Sequence, residues 1–323
     1  MSAISGIKKH TEINSASMKK TFYSNGKLLI TGEYLVLDGA TAFALPTKFG
    51  QTLIVEEGTK QEISWISCDA DGSIWFEDSI SFSEIMNPSF SEKETIKTTL
   101  VTILHEAYLL NTGFITNSNG YQIKTELTFA KKWGLGTSST LINNIAQWLQ
   151  IDAFKLLKTS FGGSGYDIAC AQNNSPILYH LDKGEPIVEK VTFNPIFKNN
   201  LYFVYLNKKQ SSKASIAQYR NNIAYNLDKS IGTIDKITQD ALSAKTITSF
   251  AQAIVKHETE MSHLLETKTV KEGLFNDFEG EIKSLGAWGG DFILAITQAN
   301  PTDYFTKKGY NTILTYEEMI LQD

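Results

Sequence analysis

A glycine-rich segment in the middle of the chain most constrains what the chain can fold into. It reads Lys132-Trp133-Gly134-Leu135-Gly136-Thr137-Ser138-Ser139-Thr140. Strand-like alternation over residues 120–127 precedes it, and a helical pattern over residues 138–150 follows it. Glycines let backbone N–H groups approach an anion closely, and a helix N-terminus adds partial positive charge. The segment therefore predicts a strand–loop–helix unit whose loop either binds phosphate or only caps the helix.

Composition limits the classes of partner. Hydrophobic residues make up 42% of the 323 residues and charged residues 20%, which predicts a sizeable core and about two domains. The net charge is −5 and no long basic run occurs, so we expect neither nucleic acid nor membrane as a partner. Apolar runs are too short to span a bilayer. Only two cysteines occur, Cys68 and Cys170, which is typical of a reducing compartment, and we expect a cytoplasmic protein.

The order of the predicted elements indicates an α+β chain of two domains. We expect a flexible tail over residues 1–17, with Met18 as a candidate natural start, and domains over residues 18–194 and 195–323. Apolar and β-branched runs predict several early strands, including one over residues 34–37. Helical patterns dominate from residue 213 to about residue 266, and Gly232-Thr233 is predicted to be a break or cap between two of these helices.

Three further glycine turns accompany the central loop. Asn25-Gly26-Lys27 precedes an apolar strand pattern, Gly162 to Asp167 precedes a short helical pattern, and Gly286 to Asp291 precedes another strand. A phosphoryl-transfer enzyme needs backbone donors for phosphates, a magnesium ligand, a cation near the transferred group and a carboxylate near the nucleophile. The four segments together supply residue types for each of these tasks.

These segments resemble the motifs of the GHMP kinases, the superfamily of galactokinase, homoserine kinase, mevalonate kinase and phosphomevalonate kinase. The four stretches, in the family's order, are Gly26-Lys27-Leu28-Leu29-Ile30-Thr31-Gly32-Glu33-Tyr34, Gly134-Leu135-Gly136-Thr137-Ser138-Ser139, Gly163-Ser164-Gly165-Tyr166-Asp167-Ile168-Ala169 and Gly286-Ala287-Trp288-Gly289-Gly290-Asp291. The last two resemble phosphomevalonate kinases most, and Gly-Tyr-Asp-Ile-Ala is similar to a bacterial subgroup named for that string. The resemblance implies an N-terminal nucleotide-binding domain with a mixed sheet and helices, a C-terminal ferredoxin-like α/β plait, and ATP and Mg²⁺ as cofactors.

The resemblance also implies catalytic roles for Asp167 and Lys27. Asp167 would accept or orient the proton of the attacking hydroxyl, and the charge of Lys27 would offset that of the transferring phosphate. Both residues have simpler interpretations as well. Asp167 could cap a helix, and Lys27 could be a solvated lysine at a strand edge.

The central loop is implied to bind the nucleotide. Ser138 would hold Mg²⁺, although its hydroxyl could also cap the helix. The residues implied in nucleotide binding are Lys132, Gly134, Leu135, Gly136, Thr137, Ser138 and Ser139. The residues implied near the phosphoryl acceptor are Glu33, Ser164, Gly165, Gly286, Trp288, Gly289 and Gly290.

Two departures from the family bear on the substrate. Trp288 stands where the family usually has glycine, so its ring either narrows the acceptor pocket or points outward. Mevalonate kinases carry a glutamate, a second magnesium ligand, on the helix before the aspartate motif, whereas residues 154–161 contain no acid. Magnesium would then depend on Ser138, water and the nucleotide.

The sequence therefore predicts an ATP-dependent kinase of a small-molecule hydroxyl or phosphate acceptor, as a monomer or homodimer. The resemblance favours an acceptor from the mevalonate route to isoprenoids. Two alternatives stay open, namely a catalytically inactive member that binds a nucleotide or metabolite, and a sugar or amino-acid kinase. A diphosphomevalonate decarboxylase ranks low, because residues 163–166 lack the arginine that those enzymes carry there.

Overall fold

Two β-sheets, formed by successive parts of the chain, organise the molecule. The structure is a computed structural model that describes residues 19–89, 94–209, 215–217, 219–220, 227–286 and 288–322. The predicted tail over residues 1–17 lies outside this range. None of the described helices is both long enough and apolar enough to cross a membrane.

The first sheet is mixed and has seven strands within the described residues. They are β1 (Lys20–Thr31), β2 (Ala42–Glu57), β3 (Glu62–Cys68), β4 (Ile74–Ser81), β5 (Tyr121–Leu127), β6 (Ile177–Asp182) and β7 (Glu185–Lys190). The order is β4-β3-β5-β2-β6-β7, and β1 pairs with the other edge of β2. β3 and β5 run parallel, whereas the other neighbours are antiparallel. The long strand β2 joins the two halves of the sheet, because its first residues pair with β6 and its last with β5.

Helices from the same part of the chain cover this sheet. They are α1 (Phe82–Met86), α2 (Ile96–Leu110), α3 (Gly113–Thr116), α4 (Thr137–Leu149), α5 (Ala153–Ser160) and α6 (Tyr166–Ala171). Apolar side chains of α2, α4 and α5 form one core with the strands, in which Trp65, Leu104 and Ile145 are almost fully buried. A capping box at Thr95 begins α2, and the Asp152 carboxylate caps α5.

The second sheet is antiparallel and belongs to a ferredoxin-like plait. Its part of the chain contains β8 (Leu201–Tyr205), α7 (Leu227–Ser243), α8 (Ile247–Leu265), α9 (Val270–Leu274), β9 (Glu281–Leu285), β10 (Phe292–Ile296), α10 (Thr302–Lys307), β11 (Ile313–Thr315) and α11 (Tyr316–Met319). The strand order β11-β8-β10-β9 places the first and third strands in the centre, as the plait requires. The predicted α+β fold class is confirmed.

The two sheets share one hydrophobic core. A single cluster contains Leu28 and Phe43 from the first sheet together with Phe203, Phe250 and Phe292 from the second part of the chain. The predicted domain boundary between residues 194 and 195 falls between β7 and β8. Residues on both sides of this boundary contribute to the same core. The division into two domains therefore stays a prediction.

Two predicted secondary structures are wrong. Residues 34–37 do not form a strand, because Gly32 (φ 95°) and Tyr34 (φ 58°) turn the chain into a 3-10 helix over Leu35–Asp38. Gly232 does not interrupt the helical region, since α7 runs continuously through it. The glycine is exposed and a Cβ there would meet no neighbour, so the helix tolerates it for about 1 kcal/mol relative to alanine.

Candidate active site

The glycine loop, residues 134–136, joins the first sheet to helix α4. Gly134 (φ 71°) and Gly136 (φ 100°) both have left-handed backbones that L-residues with a side chain rarely adopt. Gly136 is the N-cap of α4 and no side chain caps the helix. The hydroxyls of Thr137 and Ser138 make no hydrogen bond to any described residue, so the capping interpretation of Ser138 does not apply.

The loop leaves a row of backbone donors without protein partners. Within the described residues, the N–H groups of residues 135–139 make no hydrogen bond to the protein, and Thr140 is the first to donate, to the Gly136 carbonyl. Unpaired N–H groups at the start of a thirteen-residue helix carry partial positive charge. This arrangement suits an anion such as a phosphate group.

Lys27 contacts the glycine loop from strand β1. Its backbone N–H donates to the Leu135 carbonyl (3.0 Å) and its ammonium to the Gly134 carbonyl (3.4 Å). A register shift between Asn25 and Lys27 interrupts the pairing of β1 with β2 at this point. Lys27 is only 8% exposed, which contradicts its interpretation as a solvated edge lysine.

Asp167 lies opposite Lys27, at the second residue of α6. The two side chains form an ion pair with 3.4 Å between Nζ and Oδ1, and the aspartate side chain is 28% exposed. Gly165 is the N-cap of α6 and no side chain caps this helix, so Asp167 is not a capping residue. Burial, together with the charges of Asp167 and Glu33, raises the pKa of the neighbouring Tyr166 well above its usual value, and its hydroxyl therefore stays protonated.

These residues line one cleft of about 990 Å³. Lys27, Asp167, Thr137 and Ser138 line it, and it extends to the first turns of α2. There Lys97 is paired with Asp78 at 3.1 Å. The cleft is thus bordered by the N-terminal ends of two long helices, α2 and α4, and contains the Lys27–Asp167 ion pair with its partly exposed carboxylate.

The cleft offers oxygen ligands that fit Mg²⁺. Ser138 lines it, and a hydroxyl oxygen is a hard ligand of the kind that this cation takes. Helix α5 contributes Leu157 and Ser160 but no carboxylate. Among the described residues, no group of three or more His, Cys, Asp or Glu side chains could hold a metal. A magnesium ion would therefore need ligands from a nucleotide and water as well.

Lys132 and Trp288, both predicted to bind ligands, lie away from the cleft. The Lys132 side chain is exposed, and its carbonyl accepts a hydrogen bond from the Tyr205 hydroxyl (3.1 Å). The Trp288 ring packs against a separate apolar cluster, and its indole N–H donates to the Lys268 carbonyl (3.2 Å). The backbone N–H of Trp288 donates to the Tyr34 hydroxyl (3.0 Å). Trp288 therefore does not narrow the cleft that Lys27 and Asp167 line.

Glu33 also lies away from the cleft, inside a buried charged network. The network comprises Glu33, His257, Glu258 and Lys283, each at most 4% exposed. Lys283 Nζ lies 2.6 Å from Glu33 Oε1 and 3.1 Å from Glu258 Oε1, and His257 Nε2 lies 2.9 Å from Glu33 Oε2. Burial alone would raise the pKa of Glu33, but the charge of Lys283 outweighs it and lowers that pKa to about 2. Glu33 thus joins the end of β1 to α8 and β9.

Of the remaining predicted residues, Ser139 lines the cleft, whereas Leu135, Ser164, Gly165, Gly286, Gly289 and Gly290 do not. The Ser164 carbonyl accepts a hydrogen bond from the Tyr179 hydroxyl, Gly165 begins α6, and the Gly289 N–H donates to the Ser284 hydroxyl (3.2 Å). Leu135 is fully buried in the shared core, whereas Ser139 donates back to the Gly136 carbonyl. Gly290 is buried, and Gly286 contacts the Asp291 side chain.

Sequence reasoning missed several residues of the cleft. Gly162, Gly163 and Lys209 line it, as does the Asp291 side chain, which lies against Gly134. Asp291 belongs to the last of the four motifs, so its position in a motif was the available signal. Lys209 had none, because a surface lysine and a cleft lysine read alike in a sequence.

Solved structures of small-molecule kinases resemble this chain over nearly its whole length. No family model and no curated protein sequence matches it. The mevalonate kinase of Methanococcus jannaschii superposes with a TM-score of 0.67 at 17% identity, covering 96% of this chain and 100% of that one. Lactococcus lactis galactokinase complexed with galactose gives 0.67 at 12% identity, with coverages of 94% and 93%. Streptococcus pneumoniae phosphomevalonate kinase, in complex with phosphomevalonate and AMPPNP, gives 0.64 at 16%, with coverages of 94% and 98%.

These similarities concern the fold, because the identities are low. All three proteins belong to the superfamily whose motifs the sequence resembles. The mixed first sheet, the plait and the full-length superposition agree with one another. The chain therefore has the fold of the GHMP kinase superfamily, as its four motifs predicted.

Proposed function

We propose that this chain is an ATP-dependent kinase that transfers the γ-phosphoryl group to a small molecule. The observation that carries the proposal is the meeting of three motifs at Lys27, whose ammonium lies 3.4 Å from both the Gly134 carbonyl and the Asp167 carboxylate. A cation and a carboxylate thus flank a loop whose N–H groups have no described protein partner. Phosphoryl transfer depends chiefly on such positioning and charge stabilisation.

Each part of the cleft would have one task. The N–H groups of residues 135–139 would bind the phosphates of ATP. The Asp167 carboxylate would accept or orient the proton of the acceptor hydroxyl, and Lys27 would stabilise the negative charge on the attacking oxygen and the transferred group. The pair suits these tasks because Lys27 is held by the loop while the carboxylate stays accessible.

Ser138 would help to hold Mg²⁺ in this cleft. When bound, the ion neutralises phosphate charge and orients the nucleotide. Because α5 presents no acid to the cleft, the chain alone offers few ligands. We expect Mg²⁺ to bind with the nucleotide and only weakly without it.

The acceptor we propose comes from the mevalonate route to isoprenoids. The last two motifs support this choice, because their wording resembles phosphomevalonate kinases. Similarity of fold supports it less, since the galactokinase superposes with the same TM-score of 0.67 as the mevalonate kinase. A sugar kinase is therefore the second candidate.

An inactive, nucleotide-binding member is the alternative from another class. The missing acid on α5 favours it. The packing of Trp288 against a separate apolar cluster removes the other reason for it, because the ring does not line the cleft. The ion pair of Lys27 and Asp167 argues against it, since a protein that only binds has no use for a base beside the acceptor.

The location we propose is the cytoplasm. Cys68 and Cys170 are both free and buried. Burial raises the pKa of the Cys170 thiol, so this side chain behaves as a small apolar group. Free buried thiols suit a reducing compartment.

A panel assay tests the proposed function. The protein is incubated with ATP, Mg²⁺ and one of mevalonate, phosphomevalonate, galactose or homoserine, and mass spectrometry follows both ADP and the phosphorylated acceptor. We expect ADP and product in equal amounts with a mevalonate derivative. Product with galactose alone would favour the second candidate. ATP binding without consumption, across the whole panel, would favour the inactive member and contradict the proposal.

A further inference from the structure

Asp291 holds a strained backbone beside the glycine loop. It directly precedes β10, and its N–H donates to the Lys208 carbonyl while its own carbonyl accepts from the Leu206 N–H, both at 2.8 Å. Its φ of 55° lies in the left-handed region, which aspartate tolerates better than most residues but glycine adopts more readily. The residue is 6% exposed. A side chain at this position therefore needs a contact that offsets the strain.

The Asp291 carboxyl group contacts glycines from two motifs. A Cβ at Gly134 would lie 2.4 Å from its Cγ and Oδ2, and a Cβ at Gly286 would lie 2.7 Å from its Oδ2. A side chain at position 134 or 286 would therefore require the Asp291 carboxyl group to shift. The carboxyl group thus occupies the space that any other residue would need, and packs directly against the backbone of Gly134.

Lys27 contacts the loop from strand β1. Its N–H and ammonium bind the carbonyls of Leu135 and Gly134, whereas Asp291 packs against the backbone of Gly134. The loop is therefore fixed by strand β1 and by the residue before β10. Fixing the carbonyls and the Gly134 backbone also fixes the planes of the peptides, and with them the direction of the neighbouring N–H groups.

We propose that Asp291 is a positioning residue for the glycine loop. The shape of its carboxyl group holds Gly134 in the left-handed conformation and so orients the N–H groups of residues 135–139. This inference rests on the proposed function, in which those groups bind the phosphates of ATP. Asparagine at position 291 has the same shape as aspartate without the charge. Glycine removes the contact with Gly134 and also relieves the backbone strain at position 291.

Binding of ADP in the presence of Mg²⁺, measured by calorimetry, tests the inference. We expect Asp291→Asn to bind within about threefold of the wild type and Asp291→Gly to bind about tenfold more weakly. Gly134→Ala creates the overlap and should bind more weakly still. The double variant Gly134→Ala/Asp291→Gly removes it, and should bind about tenfold more tightly than Gly134→Ala alone.

Glu266→Gly is the matched control. Glu266 also has a left-handed backbone (φ 51°), at the end of α8 and outside the cleft, so its replacement should leave the affinity for ADP unchanged. Strictly additive losses in the double variant would overturn the inference, as would failure of the wild type to bind ADP. An equal loss in Asp291→Asn and Asp291→Gly would overturn it in favour of a role for the charge. If the effects of Gly134→Ala and Asp291→Gly on ADP binding are non-additive as expected, but the wild type turns over no acceptor, only the proposed function is refuted.

Discussion

Two buried polar networks, one neutral and one charged, join strand β1 to the elements around the cleft. The neutral network lies between α4 and the first two strands and comprises Ser24, Gln51, Thr140, Asn143 and Asn144. Ser24 Oγ donates to Asn144 Oδ1 (2.7 Å) and accepts from Asn143 Nδ2 (2.8 Å), and Asn144 donates to the Gln51 carbonyl (2.8 Å). Thr140 binds the Gln51 side chain at 2.8 Å. This network holds the helix of the glycine loop on the strand that carries Lys27.

The charged network is less completely satisfied. Glu33 Oε2 and His257 Nδ1 are buried without a hydrogen-bond partner, whereas no atom of the neutral network is. The nitrogen nearest to that oxygen, His257 Nε2, already accepts from the Gly32 N–H at 3.1 Å. The Glu258 carboxylate binds the Ser284 N–H, and the Ser284 hydroxyl accepts from the Gly289 N–H. This network thus holds the last motif against the end of β1.

The two networks should differ in how much stability the protein loses when one member is removed. A neutral network that loses one member loses hydrogen bonds and leaves polar groups unpaired, which costs about 1–3 kcal/mol. A charged network that loses one member leaves an uncompensated charge in a buried site, which costs more. Only the charged network should respond to pH.

Lys283→Met should produce the largest effect, because two buried carboxylates lose their cation. We expect the free energy of unfolding to fall by about 3–5 kcal/mol, as measured by urea denaturation. Lys271→Met is the matched control, since Lys271 pairs with Glu281 on the same sheet at 2.7 Å but both side chains are partly exposed. Its loss should stay below about 1 kcal/mol. Equal losses in the two variants would remove the distinction between the buried network and an ordinary surface pair.

Glu33→Gln should weaken the dependence of the free energy of unfolding on pH at acid pH. The folded-state pKa of Glu33 is lowered from 4.5 to about 2, so its stabilisation is complete above the unfolded-state value and disappears as the pH falls towards 2. Between about pH 5 and about pH 3, the wild type should therefore lose about 2 kcal/mol more than the variant. Unfolding in urea at several pH values measures this difference.

Asn144→Ala provides the control from the neutral network. It should lower the free energy of unfolding by about 1–3 kcal/mol, because Ser24 and Gln51 lose a partner. The loss should be the same at both pH values. The change in the free energy of unfolding with pH should be the same in Asn144→Ala and the wild type. If it differs between them, or if Glu33→Gln leaves it unchanged, other carboxylates control acid unfolding.

Local patterns in the sequence predicted the parts of the site that are local. The glycine loop, the start of α4 and the short helix of Asp167 each depend on a few consecutive residues, and all three occur where expected. The plait followed from the resemblance of the motifs. The strand predicted over residues 34–37 was wrong because Tyr34 adopts a positive φ, which no apolar pattern reveals.

The charged network could not be predicted in the same way. Its contacts join Glu33 to His257 and Lys283, which follow it in the sequence by 224 and 250 positions. In the sequence, each member alone resembles an ordinary surface charge. The position of Trp288 outside the cleft depends on the distant Lys268 carbonyl and the Tyr34 hydroxyl. Long-range partners of this kind are set by the packing of the second sheet against the first.

Asp167→Asn tests the central claim most directly, because it separates binding from chemistry. The affinity for ADP with Mg²⁺ and the turnover of ATP with the preferred acceptor are measured in the same preparations, with the exposed Asp240→Asn as control. We predict that Asp167→Asn binds ADP within about threefold of the wild type while its turnover falls by at least about 100-fold. Turnover that matches the wild type and Asp240→Asn would contradict the assignment of this cleft as a phosphoryl-transfer site.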